Sequence, residues 1–209
     1  MGRVLSPRDD AFLAFARMPE LSGKAKDAYI ATYGQDVYDK WCDDGDKYHG
    51  GQSLGEEALK QPRPAFTHRP DHDCESLFWT LLHSLVKALP LNGPHGLHFS
   101  VRHYTLKNVL FGHSIERRAK VDDYRGIILR WLESDLESTL HPGLQERGLG
   151  LLLKQMAEQV QPEYAWLEPK PRVDHLHEAF RRLLLQFIID FESDTRGDIE
   201  LHPMQERIP

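Results

Sequence analysis

The stretch that most constrains the fold is CESLFWTLLHSLVKAL, residues 74–89. Leu77, Phe78, Leu81, Leu82, Leu85 and Leu89 recur with Cys74 at the 3.6-residue period of a helix, forming one apolar stripe. Trp79 and Val86 lie off that stripe, so apolar side chains cover most of the circumference. A helix apolar nearly all round belongs in an interior, and the expectation is a central post around which other helices gather. A core able to hold it is available: 209 residues at 40% hydrophobic content make a chain that buries roughly 70% of its unfolded surface.

Other segments carry helix signals of their own. DDAFLAFARM reads as a short helix started by Asp9 or Asp10. SGKAKDAYIATYG reads as a second, with Ser22 as N-cap and Gly34 as its stop. QDVYDKWC adds a turn or two presenting Val37, Tyr38 and Trp41. Residues 43–71, rich in Gly, Asp and Pro, read as a long irregular loop. PLNGPHG ends the apolar helix, and 97–112 is compatible with loop, strand or short helix. Val121, Tyr124, Ile128, Trp131, Leu132, Asp135 and Thr139 mark an amphipathic helix stopped at HPG. LGLLLKQMAEQV predicts another helix. DHLHEAFRRLLLQFIIDF predicts the last, capped by Asp174, with Leu176, Phe180, Leu183, Leu184, Phe187, Ile188 and Phe191 on one face. No alternating strand pattern competes, so the fold class is mainly α. One domain over 1–192 is expected, followed by a polar tail at 193–209.

A net charge of −6, from 32 acidic and 26 basic side chains, supplies no basic patch for nucleic acid. No apolar run reaches membrane length and no secretory core is visible. Two cysteines, Cys42 and Cys74, are too few for a disulfide framework. An intracellular setting follows as an expectation. MGRVLS matches the letter of the myristoylation pattern through Gly2 and Ser6, but patterns this short recur by chance and no second anchor follows. The RGD at 196–198 is treated as chance.

Three kinds of chemistry compete for the polar residues. His68, His72, Asp73, Cys74 and the later Asp174, His175, His177 and Glu178 are metal-ligand types, yet no zinc spacing is present. His175 and His177, two apart on a helix, point to different faces. An HD-type metal phosphohydrolase is the alternative enzyme: the doublet would be His72–Asp73, with His49 or His68 before it and Asp122 or Asp174 after it. The structural account is that these side chains cap a buried helix or line an exposed loop. HYTLKNVLFG, at 103–112, superficially matches a kinase catalytic loop, but Thr105 and Leu110 stand where catalysis requires aspartates. HRPD at 68–71 fails on spacing. G-x-S-x-G is absent, HGGQSLG is neither of the common phosphate loops, and Cys74 reads as a buried structural thiol. No catalytic, cofactor or metal residues are assigned, and no cofactor is expected.

The segment HRPDHDCESLFWTLL resembles the helix F region of the fungal-type protein kinases, whose usual form is close to H-x-x-x-H-D-x-E-S-x-F-W-x-L-L. The motif positions here are Asp73, Glu75, Ser76, Phe78 and Trp79. MPELSGKAKDAYIATYG, STLHPGLQE and DHLHEAFRRLLLQFI are similar to the basidiomycete branch, and they occur in family order from about Met18 to Phe191. The resemblance implies a kinase C-lobe, a helical bundle around a central hydrophobic helix at about 74–89. The family's aspartate at the Asp73 position helps hold the catalytic loop; here there is no such loop, so Asp73 is expected to cap its helix or turn toward solvent or a neighbouring side chain. No Gly-rich cover, V-A-I-K lysine, helix C glutamate, H-R-D or D-F-G stands in these residues. The resemblance therefore implies a non-catalytic remnant, or a fragment of a longer kinase, that meets protein partners through the exposed surface of the lobe.

Overall fold

A computed structural model of the chain describes residues 17–45, 70–88, 90, 140–145, 147–160, 172–192 and 198–201. Five helices occur among them: α1 (Gly23–Tyr33), α2 (Gln35–Gly45), α3 (Pro70–Lys87), α4 (Leu149–Val160) and α5 (His175–Glu192). The only pairing outside helices among the described residues is an isolated antiparallel bridge between Pro90 and Leu201. The mainly α expectation is met. Of the expected helix over 9–18 only Arg17 and Met18 are described, and they are not helical; the expected helix over 121–139, the ambiguous 97–112, most of the 43–71 loop and most of the tail lie outside the described residues.

The chain packs as two compact units. The first comprises 1–75 and 158–189, the second 76–157 and 190–209.

In the first unit, α1 starts after Ser22, which holds the extended N-cap conformation (φ −128°, ψ 157°). Its hydroxyl does not cap the helix; it donates instead to Gln186 Oε1 on α5 at 3.3 Å, and the Ser22 amide donates to the same oxygen at 2.9 Å. Gly34 ends α1 as expected: its amide reaches Ile30 O at 2.8 Å and its φ of +91° is one that side-chain-bearing residues rarely adopt. α2 begins at the next residue and runs 11 residues, longer than the turn or two expected. Leu21, Ala25, Tyr29 and Tyr38 form the core, with Ile30, Cys42, Leu185 and Ile189 packed against them. A second cluster joins Met18, Trp41 and Ala179.

α3 begins at Pro70, four residues ahead of the expected apolar start. Proline suits a first turn because its missing N–H would have no partner there. The buried residues of α3 are Cys74, Phe78, Leu82 and Val86, each four apart. The expected stripe is thus rotated: Val86 is inside, whereas Leu77 is 47% exposed. Ser76, Thr80 and Ser84 are also exposed, and Thr80 and Ser84 donate to the carbonyls of Ser76 and Thr80, each at 2.8 Å. α3 is therefore buried along one side, and the expectation of burial on several sides is corrected. Counting apolar residues overstated the buried arc because Leu77 is one of those left in the open.

α4 occupies the 12 residues LGLLLKQMAEQV that the pattern predicts. In the second unit it buries Leu152, Leu153 and Met156, and the turn before it buries Leu140 and Leu144. His141 shapes that turn by accepting the Gly143 amide on Nδ1 at 3.0 Å.

Candidate functional site

The motif residues of α3 divide by side. Phe78 is fully buried, and half-buried Trp79 meets it edge-on, with ring centroids 5.0 Å apart at 67°. Glu75 is half-buried; Asp73 and Ser76 are exposed. Asp73 lies in the first turn of a helix begun at Pro70, so it faces solvent from within the helix and does not stand before it as a cap. The exposed position is one of those expected for it. These five side chains do not share one environment: Phe78 belongs to the core, Glu75 and Trp79 are half-buried, and Asp73 and Ser76 are exposed.

The metal-ligand candidates are likewise dispersed. His72 is half-buried, Asp73 exposed and Cys74 buried, as three consecutive helical positions must diverge. At α5, His175 is buried edge-on to Trp41, with centroids 6.4 Å apart, whereas Asp174 is exposed and His177 half-buried. Among the described residues no three His, Cys, Asp or Glu side chains come together as a metal site would need. His49, His68 and Asp122 lie outside the described residues.

Among the described residues, one dense polar cluster is not announced by the sequence. Arg182 on α5 is fully buried, with its guanidinium 5.1 Å from the Tyr29 ring centroid and 4.5 Å from that of Tyr38, two rings that meet edge-on 5.8 Å apart. Its Nε donates to Glu178 Oε1 at 2.9 Å. One terminal nitrogen reaches Pro19 O at 3.3 Å and Cys42 Sγ at 3.7 Å; the other reaches Tyr38 O at 3.2 Å. Glu178 accepts the Tyr29 hydroxyl on the same oxygen and Arg181 on its other, at 3.0 Å. The planar guanidinium thus bridges α5 to α2 and to the segment before α1, a task a lysine cannot do with one ammonium.

Electrostatics follow from burial and pairing. Burial, then the Glu178 hydrogen bond, pushes the Tyr29 phenol above its ordinary value; burial, then Cys42, does the same at Tyr38. Burial alone would favour loss of the Arg182 proton, but the hydrogen bonds and charge around it outweigh that, and it is held more firmly than usual. Every partner is occupied in holding another. Glu178, a candidate ligand by sequence, is consumed by two arginines and a tyrosine, so the cluster is equipped to fix helices.

The sequence pattern assigns seven apolar residues to one face of the last helix, offers Glu178 only as a metal-ligand type and gives Arg182 no role. Ile188, assigned to that face, is 50% exposed, while Glu178 and Arg182, which lie off that face, are buried. The available signal was their i,i+4 spacing, which suits an ion pair but does not reveal burial.

Around this pair runs an alternation of cations and rings: Arg181 over Tyr33 at 5.0 Å, Tyr33 against Tyr29 at 4.8 Å, and Lys26 over Tyr38 at 4.9 Å. Arg172 stacks on Trp41 at 3.9 Å.

No family model, no curated protein and no solved structure matches this chain.

Proposed function

We propose that this chain is a kinase-derived helical domain that, within these residues, carries no phosphoryl-transfer apparatus and acts by binding protein. The reading is supported most by the H-D-x-E-S-x-F-W run lying on a single helix whose aromatic Phe78 is buried in the core. The mainly helical architecture, with α5 formed from the last family-like segment, agrees with it. The one-sided burial of α3 departs from the fully enclosed pillar of a complete lobe, and Leu77 with its exposed neighbours is the departing feature. Phosphoryl transfer rests on positioning nucleotide, Mg²⁺ and nucleophile, and none of the kinase groups that do so stands in this sequence.

The test is a calorimetric titration of the full chain with ATP–Mg²⁺, paired with an assay of phosphate transfer to a generic protein substrate. No saturable heat and no transfer are expected. Saturable binding accompanied by turnover would overturn the non-catalytic reading. An experimental structure in which the helices from Met18 to Phe191 follow a non-kinase order would overturn the kinase ancestry.

A further inference from the structure

We infer that the buried Glu178–Arg182 pair is a register device: it selects where α1 and α2 sit along α5 more than it adds stability. Ser22 meets Gln186 and Tyr29 meets Glu178, so α1 runs antiparallel to α5. The apolar contacts between them repeat. Leu21 just before α1 and Ala25 and Tyr29 on it stand four apart, and α5 offers Leu185 and Ile189, also four apart. Ladders of equal spacing accept a slip of one helical turn, about 5.4 Å, with much of their burial kept.

The guanidinium does not accept such a slip. It donates to Glu178, Pro19 O, Cys42 Sγ and Tyr38 O at once while the Tyr29 and Tyr38 rings pack against it. A shift of one turn breaks the contacts to the α1–α2 side together and leaves a fully buried charge short of partners. Desolvating two ions consumes most of what their attraction returns, so such a pair adds little net stability while making wrong arrangements costly.

The experiment compares the full chain carrying Arg182→Met, Glu178→Leu and both together. Glu178→Leu strands the buried guanidinium and is expected to lower the melting temperature by several degrees, and Arg182→Met, which leaves Glu178 only Arg181 and Tyr29, by less. The double variant is expected to melt above Glu178→Leu, short of the wild type by what the Tyr29 hydroxyl loses with its acceptor, while amide resonances of residues 18–42 broaden or double. A double variant that regains stability with one sharp set of wild-type-like resonances overturns the inference. So does one that stays as unstable as the two singles combined, since the pair would then be a plain stabiliser. Should the single variants fail to fold, Arg182→Lys replaces them: it retains the charge beside Glu178 but cannot span all the acceptors, and multiple resonances over 18–42 are expected. A single sharp set there also overturns the inference.

Discussion

At the scale of single residues, the hydroxyl of Tyr29 shows how one polar atom is used when buried. It donates to Glu178 Oε1, the oxygen that also accepts Arg182 Nε, so the carboxylate is shared between a neutral and a charged donor. Tyr29→Phe keeps the ring beside Arg182 and removes only that donor. Glu178 retains both arginines, so no charge is stranded. Losing one hydrogen bond to a charged group should then destabilise the chain by about 1.5–3 kcal/mol. A urea titration followed by far-UV circular dichroism measures it. A change below about 0.5 kcal/mol would mean that the hydroxyl contributes nothing beyond its ring.

At the scale of elements, α3 separates what pattern can tell from what packing decides. A helix was legible because apolar residues recur at its period, and α4 was legible in full for the same reason. Gly34 was legible as a stop because glycine alone takes its positive φ at little cost. Which arc of α3 turns inward was not legible, since Leu77 and Phe78 are both apolar and only the neighbours choose between them. Nor was the Arg182 cluster legible, because its partners at Pro19, Tyr38 and Cys42 lie some 140–163 residues away in sequence. The rotated stripe makes a paired prediction. Phe78→Ala should cost about 3–5 kcal/mol by opening a cavity, whereas Leu77→Ala, at a position 47% exposed, should stay within about 0.5–1 kcal/mol. Denaturant midpoints of the two variants decide it, and equal losses would place both side chains in the core.

At the scale of the whole molecule, pH should weaken the two units from opposite sides. In the first unit, Tyr29 and Tyr38 have folded-state values raised above the ordinary 10.0, burial being the leading cause for each. Raised phenols favour the protonated form, so their contribution is fully present below 10.0 and is lost as pH climbs through the folded values. In the second unit, burial and then Lys87 lower His83 below its ordinary 6.5. A depressed imidazole favours the neutral ring, so its contribution is complete above 6.5 and disappears as pH falls through the folded value. Trp41 reports on the first unit and Trp79 on the second. With fluorinated tryptophan, and resonances assigned through Trp41→Phe and Trp79→Phe, urea midpoints can be read separately at each pH. The Trp41 midpoint should drop as pH rises beyond 10.0, and the Trp79 midpoint should drop as pH falls below 6.5. Replacing His83 by Asn should blunt the acid-side drop and leave the alkaline one unchanged. A Trp79 midpoint that rises on acidification would reverse the sign assigned to His83, because the folded chain would then be the state that binds the proton more tightly.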